Sequence, residues 1–386
     1  MTKRFYFFLL SLVTFSVDAE ILKLKQVLQN GSQGIQGISN PRDITISPSL
    51  NKIFLVSGDD DALTMLDIDE HFNLSHSQSF TDKQFPKLRL KGASSVRFSK
   101  AHQRVYTTSF YSGALTSFSY QNDALLAPTS TLSDNLDHKV VFNDFNSVKS
   151  LDSHGLLGAW SAVISPDNKT ILTSSYMSNA VSVFKLDEHG NASFKEKLLP
   201  NQNWGYPTSI AQTSKGNMVF VAGFESNQIF VLRKVNGDAY ALNQTLSHPT
   251  LQNPQNIFVS HSGKYIFVAA AKSNSLITFK QDEYGQYAHH QSIQNHQLPT
   301  QGLNGACCIA MSPKGRFLFA SAEADAGILI FNHSKKTGKL SLLSHIQSLD
   351  GVEINNVSVL KTTADGKHLL VGTGKQNQLL VLQVVH

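Results

Sequence analysis

The chain has 386 residues and a formal net charge of +5 at pH 7, with 16% charged and 41% hydrophobic residues. Its lysines and arginines are scattered, so it lacks the clustered basic stripe with interleaved aromatics typical of nucleic-acid-binding proteins. After the first residues, no stretch reaches the roughly eighteen apolar residues that indicate a membrane span. We therefore expect no nucleic-acid partner and no membrane span.

The first residues have the pattern of an export signal. Lys3 and Arg4 form a short basic start, an apolar core covers residues 5–13, and Val17 and Ala19 are small residues before a cleavage point. The apolar run is shorter than the roughly twenty residues that a bilayer requires. We predict a signal peptide over residues 1–19 and an exported mature chain that is periplasmic or secreted.

One pattern of roughly twenty residues then occurs seven times, each copy aligning without a gap. Each copy contains a polar turn, an apolar strand, a second turn with Asn or Gly, and another apolar strand. The copies start 47 to 66 residues apart, at Ser47, Ser99, Ser165, Thr213, Ser260, Ser312 and Thr363. A period near fifty residues indicates a propeller, solenoid or array. The sequence predicts an all-β, seven-bladed β-propeller over residues 20–386, with four antiparallel strands per blade.

The seventh blade has only three predicted strands of its own, near 355–361, 367–372 and 378–385. Residues 21–28 have the length and apolar content of the missing outer strand. We expect this N-terminal strand to close blade seven, which removes an exposed sheet edge.

If the strands of a blade are named A to D from the channel outward, the B–C turns and the D–A connections lie on the same face. This face carries every long connection, and functional groups concentrate on loops held by a rigid scaffold. Blades 2 to 4 bring aromatic rings there that can stack on a ligand. The predicted ligand contacts are Phe110, Tyr111, Trp160, Tyr176, Trp204, Tyr206 and Phe224. The alternative is that these rings fill the channel mouth or pack the loops.

Blades 6, 7 and 1 bring polar groups to the same face, including Glu323 and Arg42. The aspartates of residues 59–61 match no EF-hand spacing, and the histidines at 289, 290 and 296 lack zinc-site spacing. The chain also has no phosphate-binding glycine loop, nucleophile elbow or haem motif. We predict no metal site and no cofactor.

The connection between blades 2 and 3, roughly residues 128–160, is much longer than the others. Such a connection is usually a lid, a binding loop or disordered, and its leucines and phenylalanines favour packing. His154, between Ser153 and Gly155, is the residue there that we single out as a proton carrier.

Cys307 and Cys308 are the only cysteines and are adjacent at the start of strand A of blade 6. Oxidising surroundings outside the cytosol favour disulfides, so one prediction is a vicinal disulfide that lines a pocket. The alternative is two small buried residues.

Three segments resemble the bacterial 6-phosphogluconolactonase family of seven-bladed propellers. They are SAVISPDNKT from Ser161, FNHSKKTGKL from Phe331 and HSGKY from His261. By repeat register the resemblance covers the whole mature chain, although much of it is blade pattern shared with other propellers.

The resemblance implies a set of catalytic positions that this chain does not keep. The family tends to carry His before the Ser-Ala-Val motif, where Trp160 stands. It carries Arg-His after the proline that opens the next inner strand, where Thr208 and Ser209 follow Pro207. It carries Asn-Glu in the next B–C turn, where Gly223 and Phe224 stand and Glu225 comes one place late.

Two functions remain open from the sequence. The first is an exported module that binds a small molecule, such as a sugar or lactone, or a protein partner. The alternative is a lactone hydrolase with a relocated site, in which Glu323 activates water and Arg42 orients a carboxylate or phosphate. We expect a monomer.

Overall fold

The computed structural model describes residues 21–386, apart from residues 48, 50, 129, 135, 137–140, 142, 236, 238 and 386. The predicted signal peptide lies outside the described residues, so the domain boundary at residue 20 stays a prediction. No described helix is long and apolar enough to cross a membrane.

Seven four-stranded antiparallel sheets form the blades of a propeller, which confirms the predicted fold. In each blade the strands run A to D from the central channel outward. Blades 1 and 2 are Pro41–Ser47, Lys52–Ser57, Ala62–Ile68 and Leu74–Thr81, then Ala93–Ser99, Arg104–Ser109, Ala114–Gln121 and Ser130–Ser133. Blades 3 and 4 are Ala159–Ile164, Thr170–Ser175, Ala180–Leu186 and Ala192–Lys197, then Pro207–Gln212, Met218–Gly223, Gln228–Lys234 and Tyr240–Leu246. Blades 5 and 6 are Pro254–Val259, Tyr265–Ala270, Ser275–Gln281 and Tyr287–Gln294, then Ala306–Met311, Phe317–Ala322, Ile328–His333 and Leu340–Ile346.

Blade 7 takes strands A to C from the end of the chain and strand D from its beginning. They are Val357–Thr362, His368–Thr373, Gln378–Val384 and Leu22–Gln29. Leu22 pairs with Val384 and Gln29 with Gln378. The predicted ring closure by the N-terminal strand is confirmed.

Few other elements are present among the described residues. Ala124–Leu125 pairs with strand C of blade 2, and Ser348–Leu349 pairs with Val352–Glu353. The short helical segments are Pro86–Leu88, Phe145–Val148, Lys149–Leu151 and Asn295–Gln297.

The core lies between neighbouring blades. Strand B of blade 4 is buried along its whole length, and its Phe220 packs with Phe279 and Tyr287 of blade 5. Fully burying one such ring stabilises the fold by about 1.5–3 kcal/mol. Each blade is therefore held by its two neighbours, which fixes the A strands as a rigid wall around the channel.

Two irregularities recur at the start of every A strand. The residue before the strand has a left-handed backbone with φ of 48° to 72°, and these residues are Asn40, Gly92, Gly158, Tyr206, Asn253, Gly305 and Asn356. Directly after the first residue of each A strand, its register with strand B shifts at a β-bulge. Bulges re-aim side chains, and these lie on the face of the B–C turns.

Candidate ligand cavity at the channel mouth

A cavity of about 640 Å³ lies at the mouth of the channel, on the face of the B–C turns. The residues at the bulges of the seven A strands form a ring around it, and they are Arg42, Ser94, Trp160, Thr208, Gln255, Cys307 and Ser358. The turns of blades 1, 2 and 6 add its upper rim. The cavity is therefore on the face that the sequence predicted to be functional.

The small bulge residues join neighbouring blades. Each donates a hydrogen bond to the carbonyl oxygen of the first residue of the next A strand, as Ser94 does to Ala159 at 2.7 Å and Thr208 to Pro254 at 3.1 Å. The Cys307 thiol and the Ser358 hydroxyl make the corresponding bonds. Arg42, Trp160 and Gln255 are the large bulge residues and make no such bond, so their side chains are available to the cavity.

Three cations line the cavity: Arg42, Arg97 and Lys361. Arg97 forms a close ion pair with Asp43, which also accepts a hydrogen bond from the Val96 N–H at 3.0 Å. Burial lowers the pKa of Lys361, and nearby Asp43 opposes this effect. Within the described part of the chain, neither Arg42 nor Lys361 has a hydrogen-bonded or ion-paired acceptor. These two cations are therefore free to bind an anion.

Glu323 stands at the rim in the B–C turn of blade 6. Its Oε1 atom accepts a hydrogen bond from Gln255 Nε2 at 3.4 Å. The predicted catalytic residues Glu323 and Arg42 both border this cavity. The sequence interpretation missed Gln255, Arg97 and Lys361, although a charged residue at the fifth position of strands A in blades 2 and 7 was a visible signal.

Aromatic rings form the wall of the cavity on the side of blades 2 and 3. Phe110, Tyr111 and Trp160 line it, with the Phe110 and Trp160 ring centroids 5.5 Å apart. The Arg42 guanidinium lies 6.0 Å from the Trp160 centroid, a distance at which a cation is attracted to a ring face.

Three further predicted rings continue outward from this wall. The Tyr176 centroid is 6.3 Å from Trp160, 5.3 Å from Tyr206 and 6.2 Å from Phe224. Trp204 requires a correction: it is only 1% exposed and packs against Phe230 in the core. Its ring leaves no surface for a ligand, so we remove it from the predicted contacts.

The two cysteines line the cavity and are buried, with their Sγ atoms 2.8 Å apart. The hydrogen bond with Cys308 and then burial raise the pKa of the Cys307 thiol, which Glu323 raises further and Arg42 lowers. The vicinal disulfide stays a prediction.

His154 lies in a different place from Glu323 and Arg42. Its Nδ1 atom is 2.9 Å from Asp134 Oδ1, its backbone N–H donates to the same oxygen, and its ring packs on Phe194. It is not among the residues that line the cavity. The structure therefore does not bring it together with the other two predicted catalytic residues.

Asp134 and Asp152 lie in the connection between blades 2 and 3 that also contains His154. We call this buried pair of carboxylates the acidic clasp. Asp134 also accepts from Ser153 Oγ and Leu156 N–H, and Asp152 from Ser178 Oγ and Lys197 Nζ. Burial and then Asp134 raise the pKa of Asp152 to about 6. Burial also acts to raise the pKa of Asp134, but hydrogen bonds outweigh it and the pKa is lowered.

Within the described chain, no three His, Cys, Asp or Glu side chains converge in a way that could hold a metal ion.

The sequence model described as "Lactonase, 7-bladed beta-propeller" matches residues 72–255 and 262–386. Among solved structures, a candidate 6-phosphogluconolactonase from Bacteroides uniformis is 17% identical with a TM-score of 0.64, covering 82% of this chain and 86% of its own. The periplasmic gluconolactonase of Pseudomonas aeruginosa is 16% identical with a TM-score of 0.63, covering 82% and 86%.

A propeller of a different kind is equally similar in shape. The Cps50 (Swd1) β-propeller domain of Myceliophthora thermophila is 11% identical with a TM-score of 0.64, covering 94% of this chain and all of its own. At such identities, structural likeness shows the fold alone. A search among curated proteins finds no match.

Proposed function

The chain belongs to the seven-bladed β-propeller lactonase family, and from this premise we propose that its channel-mouth cavity binds a small, ring-shaped anion of the sugar-lactone class. The observation that carries the proposal is a pair of cations beside the aromatic wall, Arg42 and Lys361, that have no acceptor among the residues that the structure describes. Both side chains are half-buried, and loss of part of a charge's hydration without a partner costs stability. Retaining two such charges is understandable if a ligand supplies the missing anion.

The wall supports a ring-shaped ligand over a simple ion. Phe110 and Trp160 meet edge to face with an interplanar angle of 85°, so they present differently oriented surfaces to one occupant. Gln255 and Ser161 add hydrogen-bonding groups around the same space. Apolar walls with a few convergent polar groups are typical of small-molecule sites, whereas a protein partner would need a broad exposed surface.

Hydrolysis of a bound lactone is the second candidate, and the position of Glu323 favours it. In this reaction the Glu323 carboxylate takes a proton from water as the water oxygen bonds to the lactone carbonyl carbon. Arg42 and Lys361 stabilise the resulting oxyanion. The carbonyl re-forms as the ring C–O bond breaks, and protonated Glu323 returns the proton to the departing alkoxide.

The test uses the purified mature chain with 6-phosphogluconolactone and glucono-1,5-lactone in a pH-stat, and with the stable open acids in calorimetry. We expect the acids to bind. The Lys361→Met substitution should lower their affinity about tenfold or more, which is the effect of losing a charge-assisted hydrogen bond. If the protein is a hydrolase, turnover disappears in the Glu323→Gln variant and survives in the Glu225→Gln variant. Glu225 is the control because it lies on the same face but outside the cavity. Failure of every acid and lactone to bind a folded sample would reject this proposal.

We also propose that the protein acts outside the cytoplasm. The basic start and apolar core of residues 1–19 support export. Mass spectrometry of the protein from a periplasmic extract tests this, and a retained Met1 would contradict it.

A further inference from the structure

Tyr206, the residue before strand A of blade 4, has a backbone conformation that is unfavourable for tyrosine. In six blades the left-handed residue before strand A is Asn or Gly, whereas in blade 4 it is Tyr206, with φ of 56°. A β-carbon crowds the backbone in this region, and Gly and Asn are the residues that tolerate it. Strain of this kind persists at functional sites when the surrounding structure imposes it.

The repeat imposes this conformation on Tyr206. Its N–H donates to Asn179 Oδ1 at 2.9 Å, and the N–H of Asn253 donates in the same way to Asn227 Oδ1 at 2.8 Å. The tyrosine is therefore not needed for the backbone, because asparagine forms the same joint in the next blade. Its side chain is 44% exposed, so it is not needed for the core either.

The Tyr206 ring extends a continuous aromatic surface. We call this surface the aromatic platform and define it as Phe110, Tyr111, Trp160, Tyr176, Tyr206 and Phe224. Successive centroids are 5.2 to 6.4 Å apart, and three of the rings also line the cavity. The platform thus starts inside the cavity and leads outward across blades 2 to 4.

From this arrangement we propose that the aromatic platform binds an oligosaccharide whose terminal ring occupies the channel-mouth cavity. The inference rests on the proposed function for the cavity, which accounts for one ring only. The platform gives the following rings a place to bind and so predicts a ligand of several sugar units.

The chemistry of the platform fits a glycan. Sugar rings have an apolar face of C–H groups that stacks on aromatic rings, and their edges carry hydroxyls that require hydrogen-bonding partners. Amide side chains lie beside Tyr206: Asn179 Oδ1 accepts from the Tyr206 N–H, Asn179 Nδ2 donates to Asn203 Oδ1 at 2.9 Å, and Asn203 is exposed.

The experiment measures binding of cello-, malto-, xylo- and chito-oligosaccharides of one to six rings to the full mature chain by calorimetry. Each oligosaccharide ends in a uronic acid ring, which supplies the anion that the cavity cations are proposed to bind. In at least one series, we expect the six-ring member to bind about tenfold or more tightly than the single ring. Tyr206→Asn should lower the six-ring affinity about three- to tenfold. Its thermal midpoint should not fall, because asparagine suits the left-handed position. Tyr284→Ala is the matched control, since this tyrosine is 79% exposed in a turn on the opposite face.

The outcomes separate the two proposals. If the single-ring acids bind but affinity does not grow with chain length in any series, the platform inference is overturned and the cavity proposal stands. If nothing binds, both fail. Binding of a proline-rich peptide that depends on Tyr206, with no length-dependent sugar binding, would make the platform a peptide groove and would also overturn the inference.

Discussion

The acidic clasp contains buried carboxylates and the channel-mouth cavity contains half-buried cations, and the two regions differ in how these charges are paired. In the clasp, Asp134 and Asp152 accept hydrogen bonds from serine hydroxyls, backbone N–H groups and Lys197. In the cavity, Arg42 and Lys361 line the wall without an acceptor from the described residues. A buried charge with all its partners supports the fold, whereas one without them indicates a place for a ligand.

The largest effect is expected from breaking the clasp. Asp134→Ala removes the acceptor of four donors and leaves the buried Leu156 N–H without a partner. We expect the free energy of unfolding to fall by about 3–5 kcal/mol, measured in urea. Asp69→Ala is the control, because this aspartate also accepts three hydrogen bonds but lies in an exposed turn. An equal decrease in the free energy of unfolding of the two variants would show that the clasp stabilises the fold no more than an exposed turn does.

Lys361→Met tests the opposite behaviour in the cavity. Because the lysine has no acceptor among the described residues and burial lowers its pKa, its removal should leave the free energy of unfolding unchanged or raise it by up to about 2 kcal/mol. Lys197→Met should reduce stability, because Lys197 Nζ lies 3.2 Å from Asp152 Oδ2. Destabilisation by Lys361→Met as large as that by Lys197→Met would contradict the distinction between the two regions.

The clasp should also give the protein a measurable pH dependence. The pKa of Asp152 is about 6 in the fold against an ordinary 3.8, so between these values the folded chain holds a proton that the unfolded chain has lost. The contribution of Asp152 to stability therefore declines as pH rises through this window, by up to about 3 kcal/mol.

Asp152→Asn removes this titration. The stability of the variant relative to the wild type should then increase from pH 4 to pH 7, as followed by urea unfolding at several pH values. A difference that stays constant with pH would show that Asp152 does not titrate in this range.

The smallest effect concerns the thiols of the cavity. Because Glu323 raises and Arg42 lowers the pKa of Cys307, Glu323→Gln should speed alkylation about twofold and Arg42→Gln should slow it about as much. Labelling of the wild type after unfolding in urea without reductant distinguishes the two predictions for the pair: two labels mean free thiols, and none means a vicinal disulfide. Identical labelling rates in both variants would place Glu323 and Arg42 too far away to act on Cys307.

The strands were predictable because the repeat is regular. Strand A of blade 7 was expected near 355–361 and runs over Val357–Thr362, and the closing strand was expected at 21–28 and runs over Leu22–Gln29. A polar turn before each apolar run fixes the strand ends, and the seven copies support one another.

The site was less predictable because it depends on pairing between strands. A bulge is defined only by the pairing of a strand with its neighbour, which the local sequence does not show. The local sequence therefore does not distinguish Trp160, which lines the cavity at a bulge, from Trp204, which lies in the core. Asp134 and Asp152 likewise meet only through the folded connection. Arg42 and Glu323 were predicted because both lie at or next to turns. The repeat pattern shows on which face of the propeller each turn lies.

The ring closure has a consequence for how the protein is made. Leu22 pairs with Val384, so the last blade cannot form until both ends of the domain are available in one place. Contacts between positions so distant in the chain slow folding. A nascent chain that lacks its final strand therefore cannot complete blade 7, and the ring stays open until synthesis of the domain has ended.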